Sequence, residues 1–269
     1  MSDQEYLTGG GVNEVLRIGM TVRRPTGSWT PLVHGLLNHV RERGFIGAPR
    51  VIGIDEQGRE ELSFIPGEVS NYPLSATATS TEALISAGRL LRAYHDATLG
   101  FAQDHPTGWM LPSRSPAEVI CHGDFAPYNC VLDGATAVGI IDFDTAHPAS
   151  RVWDVAYSVY RWAPLTAPEN EDGFGSLADQ ISRTRLFCDS YDLDQASRAV
   201  LADTVVDRLT ALVTFMNERA DSGDQAFIGH LRDGHHLLYR RDVEYVRGHR
   251  DEIRAALVTA EPRPLGLGS

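Results

Sequence analysis

The chain contains no lysine: all 24 of its Lys+Arg positions are arginine. Arginine keeps its proton at any physiological pH. Schiff-base and lysine-general-base chemistries are therefore excluded, and any fixed side-chain cation other than histidine must be a guanidinium. Cysteine is scarce as well. Cys121, Cys130 and Cys188 contain no CxxC and cannot all pair, which argues for reduced thiols in a cytoplasmic protein and against a disulfide scaffold. No apolar run approaches the roughly 20 residues of a membrane helix. The opening MSDQEYL is acidic and polar, unlike a secretory leader. Positive charge is in deficit, with 36 Asp+Glu giving a formal net charge of −12. Such a surface repels nucleic acid and anionic membranes, and neither is expected as a partner. Internal repeats and heptad arrays are also missing.

What is present suits an ordinary folded protein. The 269 residues are 42% hydrophobic and 22% charged, enough to bury a core without a structural metal. Two regimes of periodicity divide the chain. Residues 1–68 hold short strand-like runs: Glu14–Ile18, Thr21–Arg24, Val51–Ile54 and Glu61–Ile65, with Asp55–Gly58 reading as a hairpin turn. One helix interrupts them, with Thr30 as expected cap, Pro31 in its first turn and Gly44 as its stop. After a linker near 66–78, the period becomes 3.6. Helices are predicted from Ser80 or Thr81 onward, at 151–162, near 176–190, at 194–220 and at 225–258. Between them Val131–Leu132 and Val138–Ile141 read as two strands around Asp133–Gly134. The expectation is an α+β, two-lobed protein: a β-rich lobe over 1–68, a helical lobe over 69–260, a flexible Pro/Gly tail over 261–269, and a ligand cleft between the lobes.

The chemistry concentrates around that hairpin. Cys121-His122-Gly123-Asp124-Phe125-Ala126-Pro127-Tyr128-Asn129 is followed, 13 residues after Asn129, by Asp142 in Ile141-Asp142-Phe143-Asp144. Asp124 and Asn129 close a short loop, and the hairpin folds Asp142 back beside them. Oxygen donors without His or Cys favour Mg²⁺, which in such settings shares its shell with nucleotide phosphates.

HGDFAPYN followed by IIDFD resembles the catalytic and metal motifs of the aminoglycoside phosphotransferase family, related to choline kinases and protein kinases. The resemblance covers most of the chain, including LSFIPGE as a hinge, LLRAYHDAT before the motif and RVWDVAY after it. It implies a protein-kinase-like fold and transfer of the γ-phosphoryl of Mg-ATP, or GTP, to a hydroxyl of a small molecule such as an aminoglycoside-like antibiotic or a metabolite. Asp124 would be the catalytic base. Asn129 and Asp142 would hold Mg²⁺, with Asp144 adding a contact to metal or substrate. His122 would prop the loop, and Asp154 would pin its backbone. Phe64 and Ile65 in the hinge would contact the nucleotide, and Gly9, Gly10 and Gly11 would cover its phosphates through backbone N–H groups.

Two positions depart from that family. The phosphate-binding cation of the third strand must be arginine. Strand alternation places Arg24 on the face of Val22, so Arg24 is the candidate and Arg23 reads as a solvated edge residue. The following helix offers no Glu to pair with it, only His34. These departures keep a second reading open, a nucleotide-binding pseudokinase without transfer activity. A protein kinase is disfavoured, because no activation segment ending in Ala-Pro-Glu is present. Glu169, Glu171 and Asp172, between Pro164 and Gly175, read as a solvated polar loop, with an acidic lid for a cationic acceptor as the alternative. Trp153, Tyr157, Tyr160 and Trp162 read as core. The expected partners are a nucleotide and a small-molecule acceptor, in a monomer or homodimer.

Overall fold

The structure, a computed structural model, describes residues 4–7 and 15–258. Gly9, Gly10 and Gly11 lie outside the described residues. Five short strands, β1 (Gln4–Leu7), β2 (Val15–Ile18), β3 (Thr21–Arg24), β4 (Val51–Ile54) and β5 (Glu60–Ser63), form an antiparallel sheet in the order β1-β2-β3-β5-β4. The turn at Asp55–Gly58 closes on the hydrogen bond from Gly58 N–H to the Asp55 carbonyl, 3.0 Å. Between β3 and β4 runs α1 (Thr30–Glu42), burying Val33, Leu36, Leu37 and Val40. Its cap is Trp29, not Thr30. Thr30 is already helical, and its hydroxyl accepts the Gly27 N–H at 2.9 Å, closing the preceding turn instead.

The chain leaves β5 through Phe64, whose N–H donates to the Met20 carbonyl at 2.9 Å. Gly67 then passes so close to the Leu132 carbonyl that a Cβ would sit 2.5 Å from it. Only glycine allows this approach, at φ +138°. Glu68 and Leu132 exchange both backbone hydrogen bonds, 2.9 and 2.8 Å, so the linker is stitched to the hairpin that carries the second motif.

The helical part follows: α2 (Thr81–Ala97), capped by the Ser80 hydroxyl on Ala83 N–H, then α3 (Phe101–Asp104), α4 (Arg151–Trp162), α5 (Leu177–Tyr191), α6 (Gln195–Asp221), α7 (Gln225–Arg232) and α8 (His235–Val258). The helix predicted over 225–258 is in fact two, because Gly234 adopts φ +81° and breaks it. Two strand pairs sit between α2 and α4. β7 (Cys130–Asp133) pairs β8 (Thr136–Ile140), and β6 (Val119–Cys121) pairs β9 (His147–Ala149), both antiparallel. One continuous core joins α1, α2, the hairpin and α4–α6, and it contains Phe125 and Phe143. Those two phenylalanines are 0% and 2% exposed. Each is the neighbour of a motif aspartate, so burying the ring fixes the backbone from which the carboxylate projects. No helix among the described residues is long and apolar enough to cross a membrane.

Candidate active site

A cavity of about 1140 Å³ lies between the sheet and the helical part. Val22, Arg24, Leu62, Phe64 and Ile65 line it from the sheet and hinge; Asp124, Asn129, Ile141 and Asp142 line it from below. Seven residues predicted to serve one site therefore come together: Arg24, Phe64, Ile65, Asp124, Asn129, Asp142 and, behind Arg24, Asp144.

The loop holding Asp124 is fixed from three sides. Asp154, fully buried on α4, accepts the backbone N–H of His122 at 2.6 Å and of Gly123 at 2.9 Å. His95 from α2 donates to the same carboxylate at 3.0 Å. Burial would raise the Asp154 pKa, but the hydrogen bonds from His95 and the loop hold it down at about 2. The Arg208 guanidinium binds the Gly123 carbonyl at 2.5 Å. Gly123 itself sits at φ +83° with Thr145 O at 2.4 Å from the position of any Cβ, which makes glycine obligatory in the motif. His122 faces inward, accepting the Asp124 N–H at 3.3 Å and donating to Ile141 O at 2.9 Å. That bond ties the first motif to the second.

Asp124 is hydrogen-bonded through both oxygens. Tyr128 donates its hydroxyl to Oδ1 at 2.6 Å, and Asn129 Nδ2 donates to Oδ2 at 2.9 Å. Asn129 Nδ2 also reaches the Asp124 carbonyl at 3.0 Å, which leaves its Oδ1 as the acceptor available to the cavity. Burial pushes the Asp124 carboxyl above the usual range, with the Tyr128 hydrogen bond opposing. Ile141 N–H donates to Asn129 O at 3.0 Å, which sets Asp142 beside Asn129. Asp142 takes the left-handed conformation, φ +65°, uncommon for a non-glycine residue.

Arg24 is the buried cation at the sheet side; Arg17 of β2 lines the same wall, its guanidinium 3.9 Å from the Phe64 ring centroid. Arg24 is 7% exposed and meets three carboxylates: Glu60 at 2.9 Å, Asp142 at 2.9 Å and Asp144 at 2.5 Å. Its Nε and Nη2 approaches are ion contacts without hydrogen-bond alignment. Burial alone would lower the Arg24 pKa, but the three carboxylates raise it above its ordinary value. Arg23, by contrast, pairs with Glu61 at 2.7 Å at the partly exposed face. Glu60 is the residue that sequence reasoning missed. It stands directly opposite Arg24 in the β3–β5 register, 2% exposed, and His34 from α1 bonds its other oxygen at 2.8 Å. The carboxylate expected on the helix is thus supplied by the neighbouring strand, and the helix contributes the histidine that holds it. The readable signal was a glutamate on the same strand face as buried Leu62.

The donor set fits a divalent metal. Three carboxylates surround one guanidinium, an excess of two negative charges, and Asn129 and Asp142 present hard oxygens to the cavity. Asp144 faces Arg24 and is not part of the cavity wall.

We expect Glu60→Ala to leave Arg24 against Asp142 and Asp144 alone. Breaking so buried a pair should cost about 3 kcal/mol of stability, because the cation loses its anchor. An unchanged denaturant midpoint would contradict the role given to Glu60.

The far end of the cavity holds a surprise for the 164–175 loop. Its first half is buried and anchored by Asp242, which accepts Ala167 N–H at 2.7 Å and Asn170 Nδ2 at 2.8 Å. Glu169, Glu171 and Asp172 line the cavity, so the reading as a merely solvated loop is corrected. The anchor that fixes it lies on α8, about 75 residues away in sequence.

Comparison with known proteins agrees with this fold. Residues 107–187 match the model of the phosphotransferase enzyme family. The chain is 32% identical over 271 residues to the trifolitoxin immunity protein of Rhizobium leguminosarum bv. trifolii, covering 96% of this chain and 100% of that one. Among solved structures it is similar to an ethanolamine kinase of Plasmodium vivax, with TM-score 0.64, 11% identity, and coverage of 94% of this chain and 84% of that one. It is also similar to the amicoumacin kinase hAmiN in complex with AMP-PNP, Ca²⁺ and Ami, with TM-score 0.60, 13% identity, and coverage of 91% and 88%.

Proposed function

The chain belongs to the phosphotransferase enzyme family, and on that premise we propose that it is a small-molecule kinase moving the γ-phosphoryl of Mg-ATP, or GTP, to a hydroxyl of an antibiotic-like acceptor. The observation that carries this reading is the convergence of Asp124, Asn129, Asp142 and Arg24 on one cavity. The resemblance to a protein named for immunity to trifolitoxin supports a protective role over a place in primary metabolism. We take residues 1–68 as the nucleotide-binding lobe and residues 69–260 as the lobe that brings the catalytic loop and the metal-binding hairpin. We place the reaction in the cytoplasm, where nucleoside triphosphates are.

Asp124 orients the acceptor hydroxyl and takes its proton as the oxygen attacks the γ-phosphorus and the β–γ bridging oxygen departs with the nucleoside diphosphate. Each carboxylate oxygen has a second lone pair, so the bonds from Tyr128 and Asn129 leave room for that hydroxyl. Asn129 Oδ1 and Asp142 would hold Mg²⁺, which would supply charge neutralisation at the phosphates. Arg24 supplies the remaining positive charge, and Phe64 and Ile65 with Val22 provide an apolar slot for the base. The transition state is loose, so positioning and charge neutralisation do most of the catalysis.

The pseudokinase alternative was motivated by the missing helix glutamate. The Arg24–Glu60–His34 arrangement supports an intact, relocated clamp and so an active enzyme. The test is to incubate the protein with Mg-ATP and a library of amino-sugars, nucleosides and peptide antibiotics, reading the added mass of a phosphoryl group. One phosphorylated acceptor is the expected result. Melting-temperature stabilisation by Mg-ATP with no product from the whole library would favour the pseudokinase.

A further inference from the structure

We propose that the acceptor carries a carboxylate, bound by Arg161 at the end of the cavity beyond Asp124; this rests on the phosphotransferase reading and names its substrate class. Arg161 lies in the last turn of α4 and lines the cavity while being only 6% exposed. Its guanidinium sits among tyrosine rings, 4.3 Å from the Tyr72 centroid, 5.4 Å from Tyr160 and 5.5 Å from Tyr128. Five N–H donors are on offer. Against them the described residues provide one long contact, to Asp172 at 3.4 Å, and Nε is buried with no hydrogen-bond partner.

Such a cation is far from satisfied. Burial strips the guanidinium of its water, and the ring faces offset part of that cost without occupying its in-plane N–H donors. Arg198 is matched by Asp189 and the Leu193 carbonyl, and Arg208, whose Nε is likewise without a hydrogen-bond partner, does not line the cavity. Arg161 has kept its fork for something that enters. The planar fork matches a carboxylate bidentately.

Position identifies the source of that carboxylate. Tyr128 links the two: its ring centroid is 5.5 Å from the guanidinium, and its hydroxyl is 2.6 Å from Asp124 Oδ1. The nucleotide phosphates are assigned to Arg24 and Asp142 on the other side of Asp124, so the anion at Arg161 belongs to the acceptor. The exposed carboxylates of Glu169 and Glu171 on the same wall repel a purely anionic ligand and welcome an ammonium. The acceptor class is therefore a hydroxyl-bearing zwitterion of the amino-acid type.

The test uses hydroxy-amino acids and their short peptides, each as free acid and as carboxamide. Phosphorylation with Mg-ATP is read by mass, and melting temperature is read with each compound alone. Free acids should be turned over with kcat/KM about 100-fold above the matched amides, as expected when a buried charged partner is left empty. Arg161→Gln should bring the two within a few fold by losing the acid, with KM for ATP unchanged, and Arg161→Lys should restore part of the preference. Amides accepted as well as acids by the wild type, or an unaltered preference in Arg161→Gln, would overturn the proposal. If nothing is phosphorylated, the transfer reading suffers and the melting data decide this one separately. A rise with free acids that Arg161→Gln abolishes upholds it, and no rise with any free acid rejects it.

Discussion

Asp124→Asn is expected to lower kcat about a thousandfold while leaving the Kd for Mg-ATP nearly unchanged. The asymmetry follows from the hydrogen bonds. Asp124 faces Tyr128 and Asn129, and no cation among the described residues pairs with it, so its removal leaves the Arg24 cluster intact. Asparagine keeps the shape and one acceptor oxygen but cannot take a proton. Asp142→Ala should behave differently. Asp142 touches Arg24 at 2.9 Å and lines the nucleotide side of the cavity, so Mg²⁺-dependent nucleotide binding should itself weaken. Single-turnover and binding measurements on the two variants separate the roles. The pH profile adds a further check. Burial raises the Asp124 pKa, and the Tyr128 hydroxyl, by stabilising the carboxylate, pulls it back. The base works ionised, so kcat/KM rises with pH through that pKa. Tyr128→Phe removes the stabilising donor and should move this limb to higher pH. A profile that stays in place would mean Tyr128 does not set the basicity of Asp124. Equal losses of kcat in Asp124→Asn and of nucleotide affinity would mean the carboxylate belongs to the phosphate site.

How much of this was legible beforehand depended on whether the information was local. The loop at 121–129 and the hairpin that leads to Asp142 are contiguous segments whose polar residues alternate with buried aromatics, Asp124 with Phe125 and Asp142 with Phe143, so the motif carries its own geometry. The choice of Arg24 over Arg23 rested on strand alternation, and the structure buries Arg24 against three carboxylates; Arg23 is not the solvated edge residue expected, because β3 is the central strand and the side chain, 16% exposed, pairs with Glu61. Glu60 was out of reach because its role depends on β5 lying next to β3 in a register that sets it opposite Arg24. Pairing between strands about 36 residues apart is decided by the whole sheet. The three-residue strands β6 and β9 were invisible for another reason: a span so short shows no alternation. The break at Gly234 was a local signal overruled by the helical pattern on both sides. Arg161 was hidden by helical position. It follows Tyr160 in a run that reads as core, and only the Tyr72 and Asp172 segments, folded over it, show that its head reaches the cavity.

Asp154→Ala is expected to be the most destabilising single change. The carboxylate is 0% exposed and satisfies two loop N–H groups and His95. Its loss strands buried donors at about 1–3 kcal/mol each, so a drop of about 4 kcal/mol is expected, or about 10 °C in melting temperature for a chain of this size. Activity should fall with it although Asp124 is untouched, because the backbone of His122 and Gly123 then rests on Arg208 and Thr145 alone. The sign of the acid dependence follows from the shift. The Asp154 pKa is about 2 in the folded chain, against about 3.9 unfolded, so its stabilisation is fully present above about pH 4 and disappears as pH falls towards 2. Asp154→Asn keeps the volume but places an amide N–H against backbone donors, so it should lose most of the stability while flattening that acid limb. Denaturant melts of wild type and Asp154→Asn between pH 2 and 6 test both statements, since a limb that persists in the variant would have to come from another carboxylate.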